Sequence, residues 1–201
     1  VFAKALGLDP DRALTLGILH DYGRTEINTM EHTVRGFELL TDLGWDAEAL
    51  GCLTHSFLGG YRTNSMDKSD IEGGPDSTGL PTMIKKDHMA LFLEAYTFTD
   101  YDLFLNMADL MSTARAIVSP AERVADISTR RVIDPERQSF FLPRLTFILS
   151  SVYEKIKGCP IPLKLTEQGA GLTILERKRE FERMSELFFR MFRELEKTAV
   201  K

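Results

Sequence analysis

Ala13, Leu14, Leu16, Gly17, Ile18 and Leu19 make a segment that is apolar on nearly every side of a helix, and it runs straight into His20-Asp21. A helix apolar all round belongs inside a protein, so this one is expected to be central. Asp9 is placed to cap it, Pro10 to open it and Gly23 to end it. An imidazole and a carboxylate at the end of such a helix are costly to bury unless hydrogen bonds or a cation offset the desolvation. That ligand pair suits zinc, iron, manganese and related ions. An ion pair at a helix end is the simpler account of a lone His-Asp dipeptide, so the rest of the chain has to decide.

The remaining pattern is helical throughout. Val1–Leu6 reads as the tail of a helix stopped by Gly7. Asn28 and Glu31 have capping-box spacing, which puts His32 in the first turn of a helix running to about Leu43; Val34, Phe37, Leu40 and Leu43 are its apolar face. Asp46 caps a short helix over roughly 47–57 with His55 near its end. Residues 59–83 hold five glycines and two prolines, a composition that makes loops; a loop of that length is a lid, a binding loop or disordered, and its place directly after His55 favours a lid. Helices are expected again over 84–97, where His88 reads as a surface residue, and over 101–118, where Asp109 interrupts an apolar pattern. Ser119 to Glu122 is a capping box that opens a helix to about Arg131. Asp134-Pro135 opens another to about Lys157, which Pro143 should kink or split. Cys159 to Pro162 is extended. Thr173 to Glu176 caps a last long helix to about Thr198. Its stripe, Ile174, Phe181, Met184, Phe188, Met191 and Leu195, packs against the body or, with Phe189 and Phe192 widening it, meets a second copy of the chain. Nothing reads as a strand, so the expected fold is all-α with a long C-terminal helix.

Charge and composition narrow the function. The net charge of −5 argues against general binding to nucleic acid. No run of about 18 apolar residues is present, so no membrane span is expected. Two cysteines, Cys52 and Cys159, do not make a disulfide framework. Both are read as reduced, and with no signal peptide visible the expected location is cytoplasmic.

Three further stretches follow the His-Asp helix: Glu31-His32-Thr33-Val34-Arg35-Gly36-Phe37-Glu38-Leu39-Leu40, then Cys52-Leu53-Thr54-His55-Ser56, then Asn106-Met107-Ala108-Asp109-Leu110-Met111-Ser112. Their order resembles the HD-domain superfamily of metal-dependent phosphohydrolases, whose pattern is a His, a His-Asp pair, further His residues and a distant Asp on a helix. The resemblance spans roughly residues 1–118. It implies an HD-type metal-binding core there, in an HD-domain-like helical bundle, with 119–201 as a helical extension. The family's first His would lie upstream of Val1.

The resemblance implies a divalent transition metal, one or two ions of Fe, Mn, Zn, Co or Ni. His20, Asp21 and Asp109 would hold one ion together with that upstream His. His32 and His55 would build a second position, with Asp21 bridging. Two ions can stabilise both the attacking and the leaving oxygen of an in-line displacement. Arg24 stands where many relatives carry Lys or Arg; its guanidinium could hold a phosphate bidentately or form a salt bridge to Glu26 or Asp21. Arg115 follows Asp109 by six residues, a spacing similar to bacterial HD hydrolases that split diadenosine tetraphosphate, although Leu110-Met111-Ser112 departs from their aromatic and acidic residues. The implied activity is hydrolysis of a nucleotide or another small phosphate ester through metal-activated water. Two rival readings stand beside it: a non-catalytic HD module that binds a ligand or acts as a scaffold, and a di-iron oxygenase of HD-like fold.

Overall fold

The computed structural model describes residues 1–28, 31–56, 91–93, 95–130, 135–158 and 172–199. The expected lid loop, His88 and Cys159 lie outside the described residues. The described residues are all-α and contain no strand. The helices are α1 (Phe2–Ala5), α2 (Pro10–Leu19), a 3-10 turn (Tyr22–Thr25), α3 (His32–Asp42), α4 (Asp46–Thr54), α5 (Asp100–Leu110), α6 (Pro120–Arg130), α7 (Pro135–Ile156) and the long C-terminal α8 (Ile174–Ala199). Of the helix expected over 84–97, residues 91–93 and 95 are helical, whereas Tyr96 and Thr97 are not, so the helix stops short of 97. The chain divides into two compact units, Asp11–Leu105 and Val1–Pro10 with Asn106–Lys201. Residue 118, the expected end of the core, falls within the second.

In the Asp11–Leu105 unit, α3 packs on α4. Leu40, Ala49 and Cys52 form one buried cluster, and Leu19, Tyr22 and Phe37 close over it. Leu19 and Tyr22 flank His20-Asp21, so the pair is pinned on both sides by apolar contacts. A second cluster, Val34, Leu53 and Leu93, takes in Phe37 and Phe98. The 3-10 turn meets α3 where two glycines allow the backbones to touch. A Cβ on Gly23 would overlap the carbonyl oxygen of His32 and lie 2.5 Å from the Gly36 nitrogen. A Cβ on Gly36 would lie 2.9 Å from Cys52 Sγ.

Several sequence expectations are corrected in this unit; α4, for one, starts at Asp46 with Trp45 at its cap position and ends at Thr54 rather than near 57. Helix α2 is not apolar to the core all round: Ala13 and Leu16 are buried, but Leu14 and Ile18 are 62% and 68% exposed. One narrow stripe is enough to dock a ten-residue helix, and hydropathy alone cannot tell that stripe from its neighbours. The helix ends at Leu19 rather than at Gly23, which sits inside the 3-10 turn. Helix α3 starts at His32, with Glu31 before it and not Asn28 as its cap.

In the other unit, α7 packs on α8. Phe181, Met184, Phe188 and Phe192 are buried, and the Phe2 ring sets its edge against Phe188 and Phe192, at centroid distances of 5.7 and 6.1 Å. The central part of the C-terminal stripe is therefore packed within the chain, as the packing reading expects; Ile174 is exposed. Both capping boxes form. Glu122 accepts from the Ser119 N–H at 2.8 Å and Glu176 from the Thr173 N–H at 2.8 Å. Helix α7 runs unbroken through Pro143. A proline inside a helix costs about 3 kcal/mol, and burial of Leu142, Phe147, Ile148, Leu149 and Val152 around it offsets that cost. Helix α5 stops at Leu110, short of the expected residue 118. Thr113 is the cause: its hydroxyl donates to Ala116 O and accepts from the N–H groups of Arg115 and Ala116, a local competition that ends helices.

Candidate metal centre

Helices α2 and α4 each end in a histidine, and the two ends converge. His20 follows Leu19, the last residue of α2, and its Nδ1 lies 2.8 Å from Gly17 O. His55 follows Thr54, the last residue of α4, and its Nδ1 lies 2.9 Å from Cys52 O. Carbonyls in the last turn of a helix have no partner within the helix, so each imidazole caps its own helix. A carbonyl oxygen only accepts, hence Nδ1 carries the hydrogen in both rings. In a neutral imidazole the other nitrogen, Nε2, then bears the lone pair. The rings stand edge to face, with centroids 4.9 Å apart. Helix C-termini carry partial negative charge, so both ends favour a cation between them.

Asp21 lies at this junction. One ligand atom from each of His20, Asp21 and His55 lies within 4.8 Å of the others. Asp21 Oδ2 is 3.8 Å from His20 Nε2 and accepts from Arg24 Nε at 2.7 Å. Oδ1 is 2.9 Å from His32 Nε2 and 3.7 Å from His55 Nε2. His32 Nε2 and His55 Nε2 are 3.4 Å apart. Oδ1 is buried and has no hydrogen-bond donor in line with it, close as the His32 nitrogen is. A buried carboxylate oxygen without a donor is costly. With the His55 Nε2 lone pair 3.7 Å away, it is an arrangement that a cation would relieve.

Burial by itself would raise the Asp21 carboxyl; contact with His32, the charges of His32 and His20, and the Arg24 bond outweigh it and hold the group well below the usual carboxylate range. Burial, reinforced by His20 and His32, pushes the His55 imidazole down to about 3. Asp21 is thus an anion and His55 a neutral base at neutral pH, the protonation states a metal ligand needs.

The shift of His55 carries a stability prediction. Its ordinary value of 6.5 belongs to the unfolded chain, which therefore takes up the proton first. The stabilisation is fully present above pH 6.5 and is lost as the pH falls toward about 3, at up to about 1.4 kcal/mol per pH unit. Asp21, whose folded value is depressed, adds its own loss only below its ordinary 3.8. Melting temperatures of the chelator-treated protein should fall steeply from about pH 6.5 downward, and His55→Asn should flatten that slope.

The four residues that the sequence points to in this unit, His20, Asp21, His32 and His55, come together. His32 is fully buried at the first position of α3. Arg24 takes the salt bridge to Asp21 that was one of its two expectations. Asp109 and Arg115 belong to the other unit. There the Asp109 carboxylate is 39% exposed and its Oδ1 lies 3.5 Å from Arg123 Nη2. It is an accessible, paired acid rather than the stranded one that an apolar helix suggested. Arg115 is exposed on the turn after α5. Sequence reasoning missed Gly23 and Thr54, whose contacts leave no periodic signal. Gly36, present in the His32-x-x-x-Gly36 spacing, could have been read as a close approach.

No protein-family model, curated protein or solved structure matches the chain.

Proposed function

We propose that the chain is an HD-type, metal-dependent phosphohydrolase that acts on a nucleotide or another small phosphate ester. The observation that carries this reading is the donorless, buried Asp21 Oδ1 facing the Nε2 atoms of His32 and His55. His20, Asp21, His32 and His55 would hold the metal, Asp21 as the anionic ligand among three imidazoles. When bound, the divalent cation lowers the pKa of water from near 16 to roughly 7 and offsets charge on a phosphoryl oxygen. Arg24 keeps its Nε on Asp21 and offers its remaining N–H groups to a phosphate. His55, neutral and tied to Cys52 O, keeps its coordinating nitrogen turned inward.

The test is metal analysis by plasma emission on protein purified without chelator, followed by a phosphate-release screen over nucleotides. The reading expects Fe, Mn, Zn, Co or Ni in the protein and phosphate released from at least one nucleotide. Metal without turnover supports a ligand-binding module instead. An oxygen-dependent product would move the site to oxygenase chemistry.

A further inference from the structure

We propose that Asp102 is a positioning residue for His55, acting through Thr54; the proposal rests on the reading of His20, Asp21 and His55 as a metal centre. Asp102 is buried, in the first turn of α5. One of its oxygens caps that turn in the ordinary way. Oδ2 accepts from the Thr99 N–H at 2.6 Å, from the Thr99 hydroxyl at 2.7 Å and from the Tyr96 hydroxyl at 3.3 Å. A cap needs no more than that oxygen, and a surface carboxylate would serve it without the cost of burial. The other oxygen, Oδ1, reaches a residue 48 positions earlier and accepts from the Thr54 hydroxyl at 2.5 Å.

Thr54 is the last residue of α4, is fully buried and directly precedes His55. A threonine hydroxyl in a helix commonly turns back onto the carbonyl three or four residues before it. For Thr54 the carbonyl three back is Gly51 O, which lies 3.3 Å from His55 Nδ1, beside the Cys52 O contact at 2.9 Å. Asp102 draws the Thr54 hydroxyl away from Gly51 O, so that this carbonyl stays with His55 alone, accepting from its backbone N–H at 3.1 Å and facing its Nδ1 at 3.3 Å. That keeps the hydrogen on Nδ1 and the lone pair on Nε2. The bond to Leu19 O made by Cys52 Sγ, at 3.2 Å, steadies the same turn against α2. Outer residues that fix the tautomer of a ligand histidine commonly govern metal affinity. Asp102 does this at one remove, by occupying a competitor.

The experiment compares wild type with Thr54→Val, which keeps the shape and loses the hydroxyl, Thr54→Ser, which restores it, and Asp102→Asn. Cobalt(II) affinity is measured by calorimetry, and the His55 tautomer by long-range nitrogen–proton spectra of the metal-free protein. Thr54→Val and Asp102→Asn should each weaken cobalt binding by about 10- to 100-fold and move His55 from the Nδ1–H form toward a mixture. Thr54→Ser should restore both. Helical circular dichroism is recorded for each variant, and Asp102→Asn carries the comparison should Thr54→Val fail to fold. Wild-type affinity and an unchanged tautomer in Thr54→Val and Asp102→Asn overturn the role of Asp102 alone. A wild-type protein that takes up no cobalt, manganese or zinc overturns the metal centre, and this role with it.

Discussion

Asp21→Ala is expected to lower divalent-metal affinity by at least about a hundredfold, the upper end of what loss of an outer partner of a ligand does, while the helical circular dichroism persists. Asp21 supplies the only negative charge among the four gathered side chains, and each of its oxygens faces a different imidazole. Without it a cation meets imidazole nitrogens alone, and the Arg24 guanidinium, released from its 2.7 Å bond, adds positive charge beside them. The helical framework has no comparable dependence on this residue, because α2 and α4 are held by Leu19, Leu40, Ala49 and Cys52. Asp21→Asn separates charge from shape: an asparagine that binds metal almost as poorly as alanine assigns the effect to charge. Calorimetric titration with cobalt or manganese measures all three proteins. Unchanged affinity in Asp21→Ala would take this residue out of the site.

The largest expected effect on stability comes from a single methyl group. Gly23→Ala would drive a Cβ into the carbonyl oxygen of His32 and to 2.5 Å from the backbone nitrogen of Gly36. Neither neighbour is a flexible side-chain tip, so the 3-10 turn has to back away from α3. Overpacking of this kind costs about 1–3 kcal/mol and occasionally more; contact with backbone puts this case at about 3 kcal/mol or above. In a domain of this size that lowers Tm by roughly 6–12 °C. The same shift would separate Asp21 from His32, so metal affinity should fall in parallel. Gly17→Ala is the control. A Cβ there meets nothing within 4 Å, and alanine in place of glycine in a helix is worth up to about 1 kcal/mol, so that variant should melt at or above the wild-type temperature. A Gly23→Ala protein as stable as wild type would show that the turn can move at no cost.

Much of the fold was legible because it is written in short-range chemistry. Ser119 with Glu122 and Thr173 with Glu176 are neighbours on one helical turn, and their boxes form as the spacing requires. The adjacent His20-Asp21 pair marked the centre directly. His32 and His55 were legible only through resemblance, since an isolated histidine carries no periodic signal. What could not be read depends on contacts between distant segments. The inward stripe of α2 is chosen by its neighbours, so Leu14 and Ile18 could not be told from Leu16 by hydropathy. The apolar period runs on through Met111 and Ile117 past the end of α5, while the hydroxyl of Thr113 decides where the helix stops. Asp102 and Thr54, 48 residues apart, leave no trace in either local pattern.

The imidazoles of His20 and His55 are each tied to a carbonyl three residues earlier in their own helix. Such a bond can form as soon as its helix does, before any distant segment has arrived. The conformational entropy of aiming these rings is therefore spent during folding rather than at the moment a ligand arrives. A site assembled in that order does not need its ion as a nucleus, unlike small zinc domains that are unfolded without metal. Chelation should then leave a cooperative melting transition in place. Added metal should raise that transition only by mass action, as RT ln(1 + [M]/Kd), so the midpoint climbs with the logarithm of metal concentration once the site is saturated.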